Sequence, residues 1–505
     1  MKSKSNIIFK LILIPLTAII ITLFLTVPIT LSDPIKISIF HTTDIHGQYL
    51  PTKATWLDDN PEIGGFEALS HYVLTERAGL ERSLLFDAGD LMTGSALCEI
   101  EHKGAVGGAL IDMMNIIGYD AMVLGNHEFD INISNAEKLA EIANFPVLSS
   151  NLFKGETGFN EQGYCLFSLN GLNVGVIGVT YYPLAGLAPD SKLKGYNTVE
   201  PTEIVNQISA EIDSKTDLII VLSHLGIERD KSMAEKLVNV DLIIGGHSHA
   251  VLEEPIVINE ILISQAGSKT RYLGRLDLEI EDDRIINFNG RLIPTFTENI
   301  SPIPEVAEII KNYESIIDEK FGEIICELKN EWDRGTGAET NVGNFITDAV
   351  REATQSDFAF INSGSIRKNI GPGPISRKDI LEMMPFDNEI IKFDCSGKTL
   401  KQIANKIIGP GESILFSGIT IKWRNTDAGQ DIVELLVNGE LVDDDKIYKV
   451  ASIDYVILYN SERYLGLTID QYEKPGYKMF DLIIEAAKNQ KIIESIIDGR
   501  ISKAE

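Results

Sequence analysis

The stretch YDAMVLGNHEFD, residues 119–130, decides how the first half of this chain is interpreted. It contains a short apolar run, Ala121–Leu124, of the kind that forms a buried strand. A glycine and then three polar residues with ligand-type side chains, Asn126, His127 and Asp130, follow at once. A buried strand that leads directly into such residues predicts a functional site at the end of a sheet.

Four more apolar runs end in the same way. Each leads into a glycine-flanked loop with carboxylate or imidazole side chains: Ile35–Phe40 into HTTDIHG (Asp44, His46), Ser83–Phe86 into DAGD (Asp87, Asp90), Leu218–Leu222 into SHLG (His224) and Leu242–Ile244 into GGHSHA (His247, His249). Strand ends on one edge of an α/β sheet converge in space. We therefore expect these side chains to surround one crevice.

The donor types in these loops indicate metal binding. Carboxylate, amide and imidazole ligands together suit manganese, iron, zinc or cobalt. The candidates are too numerous for one ion and suit two, with one carboxylate bridging. Two cations about 3.5–4 Å apart can activate a water and neutralise a phosphoryl group. Each residue alone has an ordinary structural explanation, such as a turn or a helix cap, but their joint placement favours a site.

The spacing of apolar residues predicts a mixed α/β chain with two domains. Gly104–Ile117 has helical periodicity and ends before Gly118, and Pro304–Phe321 is a second amphipathic helix that we interpret as a connector. The predicted units are a first domain at 33–300, a linker helix at 301–325 and a smaller α/β domain at 326–505. The second domain has a predicted helix at Asn341–Ala353 and strand-like runs at Phe358–Ile361, Ile390–Phe393, Ile419–Trp423 and Tyr448–Ser452.

Residues 1–32 form a separate unit. Lysines precede an uncharged stretch from Leu11 to Thr30, which is typical of a signal peptide or an N-terminal membrane anchor. Its length is close to the roughly 20 residues that a bilayer crossing needs. Either interpretation predicts an extracytoplasmic protein that touches the membrane only through this segment, if it is uncleaved. The four cysteines lack CxxC spacing, which argues against a thiolate zinc site.

The composition restricts the partners. The chain has 505 residues, 74 of them acidic and 45 basic, for a net charge of −29. Such a surface repels a phosphate backbone, so polymeric nucleic acid is not expected as a partner. A small anionic substrate remains compatible where metals and arginines reverse the potential locally. The sequence leaves the oligomeric state open.

The ordered motifs DIHG, GDLMTG, GNHEFD, SHLG and GGHSH resemble the calcineurin-like metallophosphoesterases. In combination they are similar to the secreted 5′-nucleotidase family, which includes UDP-sugar hydrolases and cyclic-nucleotide phosphodiesterases. The resemblance implies a β-sandwich flanked by helices. It implies one metal held by Asp44, His46, Asp90 and His249, and a second by Asp90, Asn126, His224 and His247. It also implies a catalytic pair, His127 and Asp130, and excludes Asp87 as a ligand.

The second half carries further resemblance. ETNVGNFITDAV, FINSGSIR and MPFDNEI resemble the family's C-terminal substrate-binding domain, in which two aromatic rings hold the base. The resemblance implies Phe386 and Tyr455 as these rings, and Asn362 and Arg367 as polar contacts. Where the family has NGGDG, with an Asp for the ribose hydroxyls, this chain has LYNSERY and Ser461 at the Asp position. Arg334 lies near a further family arginine but is offset.

The sequence therefore predicts a dinuclear metal-dependent hydrolase of nucleoside 5′-monophosphates. With the same centre, the alternatives are a 2′,3′-cyclic-nucleotide phosphodiesterase or a UDP-sugar hydrolase. A non-catalytic extracytoplasmic nucleotide-binding protein is an alternative of another class. The related dimanganese thiosulfohydrolases are a further alternative, against which the aromatic pair argues weakly.

Overall fold

The computed structural model describes residues 34–159, 163–335, 337, 339–409, 413–426 and 429–504. The predicted leader, residues 1–32, lies outside the described residues. In the described part of the chain, no helix is both long and apolar enough to cross a membrane. The four cysteines all lie in this part and are free thiols.

The first domain contains two six-stranded sheets. The first sheet has the strand order Arg284–Pro294, Tyr272–Glu281, Ile35–Thr42, Ser83–Asp87, Ala121–Val123 and Val147–Leu148. The second has the order Tyr164–Leu169, Leu172–Val179, Leu218–Ser223, Leu242–Gly245, Ile261–Ser264 and Ile256–Ile258. Smaller strand pairs and triplets form at Thr52–Lys53 with Glu62–Ile63, at Glu101–His102 with Ala105–Val106, and at Leu152–Lys154 with Thr157–Gly158 and Asn197–Thr198.

The two sheets pack face to face because their strands carry apolar residues on both faces, and one of these faces meets the other sheet. In the strand Ile35–Thr42, Ile37 and Ile39 join the core between the sheets, while Phe40 points to the opposite face. From the second sheet, Ile220 and Ile244 enter the same central core. This arrangement is a β-sandwich with a buried layer between the sheets.

Helices cover both outer faces of the sandwich. The first sheet is covered by Phe66–Arg77, Gly108–Ile117, Ile133–Ile142 and Pro304–Phe321; the second is covered by Thr202–Ile212 and Ile227–Ala234. A short helix, Asp190–Leu193, lies in the chain between the helices Ile133–Ile142 and Thr202–Ile212. The predicted α/β class and the helix-flanked sandwich implied by the family resemblance are confirmed.

The helix Pro304–Phe321 begins with proline in its first turn, as its sequence predicts. Its apolar face, which includes Val306, Ile310 and Ile317, is buried in the core under the first sheet. Tyr313 on this helix also contacts His102 Nδ1 through its hydroxyl, at 2.6 Å. The predicted connector therefore packs as part of the first domain.

The second domain has one core of its own. Its sheets have the strand orders Gly373–Ser376, Ile324–Leu328 and Ile492–Ile493; Ile390–Ser396, Ile447–Ile453, Phe358–Asn362 and Ile414–Ser417; and Glu440–Leu441, Gly429–Val437, Ile419–Thr426 and Ile501–Lys503. Its helices are Asn341–Thr354, Arg377–Met383, Gly397–Ile408, Ser461–Leu465 and Met479–Gln490, with a π-helical turn at Tyr455–Tyr459.

Two expectations from the sequence were wrong. The helix predicted at Gly104–Ile117 begins only at Gly108, because Ala105–Val106 instead pairs with Glu101–His102 in a small hairpin. The five strands expected at one sheet edge are divided between two sheets: three lie in the first and two in the second. Apolar runs buried on both faces do not show which sheet a strand joins.

Candidate metal centre

The side chains of the predicted ligands converge where strands of both sheets end. Three groups of residues have ligand atoms within 4.8 Å of one another: Asp44, His46 and His249; Asp90, His224 and His247; and His46, Asp90 and His127. The first group contains three of the four ligands implied for one metal, without Asp90, and the second contains three of the four implied for the other metal, without Asn126.

Asp90 lies at the centre of the cluster. Its Oδ2 atom is 3.1 Å from His224 Nε2, 4.0 Å from His46 Nε2 and 3.9 Å from His127 Nε2. Asp44 Oδ1 lies 3.5 Å from His249 Nε2 and 4.0 Å from His224 Nε2. One carboxylate that reaches both halves of the cluster has the position expected of a bridging ligand.

Backbone carbonyls fix the tautomers of two of the histidines. His224 Nδ1 lies 2.6 Å from the Ala88 oxygen, and His46 Nδ1 lies 3.1 Å from the Thr93 oxygen. A carbonyl oxygen can only accept, so each Nδ1 carries the proton and donates it. Their Nε2 atoms consequently face the cluster, as in histidines that bind metals.

The remaining ligand candidates face one another in pairs. His46 Nε2 lies 3.0 Å from His249 Nε2, and His247 Nδ1 lies 2.9 Å from Asn126 Oδ1. The Asp44 carboxylate also accepts the His247 backbone N–H, at 3.0 Å. Asn126 therefore stands beside His247 in the same half of the cluster, as the predicted ligand set requires.

Burial shapes the electrostatics of the cluster. It lowers the pKa of His247 to about 3 and that of His249 to about 4, so both rings are neutral near pH 7. Burial raises the pKa of Asp44. Burial also opposes ionisation of Asp90, but the surrounding imidazoles outweigh it and hold the pKa of that carboxyl well below its usual value.

The residues present fit two divalent cations. His224 Nε2 is buried and has no hydrogen-bond partner, although it lies close to Asp90. A buried polar atom without a partner is costly unless something else satisfies it. The imidazoles, the two carboxylates and the one amide of this cluster are a suitable donor set for borderline divalent metals. The predicted pair of metal ions is confirmed as the cofactor of this centre.

His127 and Asp130, the predicted catalytic residues, form a hydrogen-bonded pair beside the cluster. His127 Nδ1 lies 2.6 Å from Asp130 Oδ2, and that carboxylate also accepts the Thr93 hydroxyl at 2.6 Å. Burial lowers the pKa of His127, but the carboxylates of Asp130 and Asp90 outweigh burial and raise it. These carboxylates thereby stabilise the protonated form of His127.

Asp87 and Glu128 support the loops from behind. The Asp87 carboxylate accepts the Thr42 hydroxyl at 2.7 Å and the Gly89 N–H at 2.9 Å, away from the cluster. The buried Glu128 carboxylate accepts four backbone N–H groups, from residues 90, 91, 92 and 125. Sequence reasoning missed Glu128, because the alternation of polar and apolar residues does not mark a buried carboxylate.

The second domain brings an aromatic ring to the predicted catalytic pair. Phe386 stacks on the His127 ring, with centroids 5.9 Å apart and planes inclined by 29°. The Arg367 guanidinium lies over the Phe386 ring, 5.9 Å from its centroid. Arg334 donates through Nη1 to the backbone oxygens of Ile366 and Arg367, so it supports this segment.

The other predicted substrate contacts lie deeper in the second domain. Asn362 ends the strand Phe358–Asn362 and accepts the Ser365 hydroxyl at 2.7 Å. Tyr455 is half-buried, with its ring edge-on to Tyr464 at 6.2 Å. Ser461, at the position where the family has Asp, begins a short helix and is 8% exposed.

Comparison with known proteins agrees with this architecture. Residues 37–251 match the calcineurin-like phosphoesterase family, which defines the class of the first domain. Residues 324–465 match the 5′-nucleotidase C-terminal domain. The chain therefore belongs to the 5′-nucleotidase family, in which these two domains are combined.

Individual relatives are distant. The chain is 26% identical to the endonuclease YhcR of Bacillus subtilis over 94% of its own length, and it spans only 41% of that protein. It is 28% identical to a 5′-nucleotidase of Vibrio vulnificus, over 83% of this chain and 84% of the relative. The crystal structure of a 5′-nucleotidase precursor from Thermus thermophilus has the same fold. Its TM-score is 0.81 at 24% identity, over 93% of this chain and 99% of that one.

Proposed function

We propose that this protein hydrolyses nucleoside 5′-monophosphates to nucleosides and phosphate. The observation that carries the proposal is the stack of Phe386 on His127. It joins an aromatic ring of the second domain to the catalytic pair beside the ligand cluster. A base that binds an aromatic ring of the second domain would hold its 5′-phosphate within reach of the first domain. The Vibrio 5′-nucleotidase, aligned over most of this chain, supports the same substrate class.

The chain's own residues supply orientation and proton transfer. Bound divalent cations would polarise the phosphoryl group and lower the pKa of a water. His127 is held through Nδ1 by Asp130, which leaves Nε2 to donate to a phosphoryl oxygen or to the leaving group. Arg367 neutralises charge on the phosphate side. Phe386 and Tyr455 would bind the base by stacking, which is tolerant of base identity.

The test is phosphate release from AMP by the full-length protein with added manganese. His127→Ala should lower turnover about 10²- to 10⁴-fold, the usual contribution of a general acid or base. Metal content should remain two ions per chain. His71→Ala is the matched control, because His71 contacts the Ser301 backbone and lies outside the cluster. Wild-type turnover by His127→Ala would refute the assignment.

Ser461 favours a second candidate with the same centre. A buried hydroxyl replaces the carboxylate expected to bind the ribose hydroxyls, so recognition of a free ribose is weakened at this point. A 2′,3′-cyclic nucleotide lacks these free hydroxyls, and a UDP-sugar presents other groups for recognition. Comparing AMP, 2′,3′-cyclic AMP and UDP-glucose at equal concentration decides between the candidates. Binding of AMP without turnover of any of the three would instead indicate a non-catalytic nucleotide-binding protein.

We also propose an extracytoplasmic location, with anchoring through residues 1–32 if they are retained. The basic residues before an uncharged stretch support it. Fractionation of cells that express the chain, with and without residues 1–32, tests the proposal. Cytoplasmic recovery of the complete chain would contradict it.

A further inference from the structure

Thr93 lies at the junction between the predicted metal ligands and the predicted catalytic pair. The residue is buried, with 6% of its surface exposed. The Thr93 hydroxyl donates to Asp130 Oδ2 at 2.6 Å, and the Thr93 backbone oxygen accepts the His46 Nδ1 proton at 3.1 Å. One residue outside the predicted site therefore contacts a metal ligand through its backbone and the catalytic pair through its side chain.

The Asp130 carboxylate is held by two donors from separate loops. His127 Nδ1 lies 2.6 Å from the same Oδ2 atom that accepts the Thr93 hydroxyl. Hydrogen bonds to an ionised acceptor are shorter and stronger than those between neutral groups. The Asp130 backbone is fixed independently, because its carbonyl oxygen accepts the Lys192 ammonium. The hydroxyl of Thr93 therefore acts on the one part of Asp130 that orients the His127 ring.

The backbone of Thr93 has an unfavourable conformation. Its φ is 69°, in the left-handed region, where a β-branched residue is a genuine outlier. The next residue, Gly94, has the side-chain-free backbone that this loop needs, since an added Cβ atom would lie 2.3 Å from the His46 oxygen. Glycine would also suit position 93 better than threonine does. Strain of this kind is found where a side chain has a functional role.

The same contacts relate the catalytic pair to the metal ligands. The His46 and His127 rings are 5.1 Å apart between centroids and meet edge to face, at 70°. Thr93 holds the His46 ring directly and the His127 ring through Asp130. The position of the His127 ring beside the ligand cluster therefore depends on Thr93.

We propose that the Thr93 hydroxyl is a positioning group, which fixes the Asp130 carboxylate and thereby directs His127 Nε2 toward the phosphoryl group. Thr93 acts through Asp130 and does not touch the substrate in this role. The inference rests on the proposed hydrolysis at the same centre, and it adds a residue to the pair that the sequence predicts.

The first test separates the hydroxyl from the rest of the side chain. The kcat and KM values for AMP are measured with the full-length wild type, Thr93→Val and Thr93→Ser, with added manganese. Thr93→Val keeps the branched shape and should lower kcat about 10- to 100-fold, the factor for one hydrogen bond to a charged group. KM and metal content should not change, because the backbone oxygen still accepts from His46. Thr93→Ser should retain most of the turnover.

The matched control is Thr216→Val. It removes a buried hydroxyl that donates to the Ile212 oxygen, at the opposite end of the strand Leu218–Ser223 from His224. This variant should turn over AMP as the wild type does. Equal losses of kcat in Thr93→Val and Thr93→Ser would overturn the inference, because the hydroxyl would then not be the active group.

Thr93→Gly distinguishes positioning from folding. Glycine relieves the left-handed strain, so this variant should fold and bind metal, yet its kcat should fall as in Thr93→Val. Wild-type kcat in either variant would overturn the inference. In an Asp130→Ala background, Thr93→Val should cause no further loss, because the hydroxyl acts through that carboxylate. A further tenfold loss there would contradict a role through Asp130.

A second readout does not depend on turnover. The His127 Nδ1 proton is observed by NMR in the zinc-loaded protein, since zinc is d¹⁰ and diamagnetic, and is assigned by its loss in His127→Ala. Thr93→Val should shift this resonance and speed its exchange with water, whereas Thr93→Ser should not. An unchanged resonance in Thr93→Val would refute the contact. A shifted resonance in a protein that does not hydrolyse AMP would remove the hydrolase and keep the positioning contact. AMP turnover that Thr93→Val leaves unchanged would do the reverse.

Discussion

Glu128 should be as important for the metal centre as the ligands themselves, although it is not one of them. Its Oε2 atom accepts the N–H groups of Asp90 at 3.1 Å and Gly125 at 2.6 Å. Its Oε1 atom accepts those of Leu91 at 2.8 Å and Met92 at 3.1 Å. One carboxylate thus joins the loop that carries Asp90 to the loop that carries Asn126 and His127.

The loss of stability expected from a Glu128→Gln substitution follows from these four hydrogen bonds. A glutamine has one accepting oxygen, and its NH₂ group would face two N–H donors that it cannot satisfy. Each buried N–H left unpaired costs about 1–3 kcal/mol. The free energy of unfolding of the first domain should therefore fall by about 2–6 kcal/mol, while side-chain volume is unchanged.

The assay combines urea denaturation with hydrogen exchange measured by mass spectrometry. In Glu128→Gln, the peptide that covers residues 88–93 should exchange faster, and manganese should bind more weakly because Asp90 is released. Glu235→Gln removes an exposed carboxylate and serves as the control. Unchanged stability together with unchanged exchange at residues 88–93 would refute the account of Glu128 as the support of both loops.

Three further predictions follow from packing, titration and metal binding. Gly125→Ala would place a Cβ atom 2.3 Å from Asp90 Oδ1. Turnover should therefore fall at least about tenfold. Gly371 has open space for a Cβ atom, so the control Gly371→Ala should leave turnover unchanged. Burial raises the pKa of Asp241 from 3.8 to about 6, so its stabilising contribution is complete below about pH 4 and lost as the pH rises through 6. Asp241→Asn should therefore gain up to about 3 kcal/mol in unfolding free energy relative to wild type between pH 4 and 7, measured by urea titration at each pH. Treatment with a chelator should lower the melting temperature of the wild type, and added manganese should restore it.

The sequence predicted the elements of the first domain closely where the pattern is strong. The strand expected at Ile35–Phe40 spans Ile35–Thr42, and the helix Pro304–Phe321 has the predicted bounds. The division of the strands between two sheets could not be predicted, because strands such as Leu218–Ser223 are apolar on both faces. Periodicity reports burial, but it does not report which neighbour a strand pairs with.

The ligand side chains of the candidate site could be predicted from the sequence, but the residues that support its loops could not. Asp44, His46 and His224 could be selected because their chemistry is visible in the sequence and they follow apolar runs. Glu128 acts through backbone amides of two separate loops, and these contacts appear only when the loops are placed together. The ligand roles themselves stay predictions until metal-bound geometry tests them.

The backbone around the centre explains why its loops need support. Five predicted ligands have left-handed backbone conformations: Asp44, His46, Asp90, His247 and His249, with φ between 50° and 72°. At about 1–3 kcal/mol for each, this strain exceeds what a few surface contacts could offset. The flanking glycines let the loops approach closely, and Glu128 provides four buried hydrogen bonds on the opposite side. We infer that bound metals and this carboxylate hold the strained loops cooperatively, so loss of the carboxylate also reduces the stability that the metals contribute. Glu128→Gln, which should bind manganese more weakly, should therefore lose less thermal stability on chelation than the wild type does. An equal loss in both proteins would show that the two supports act independently.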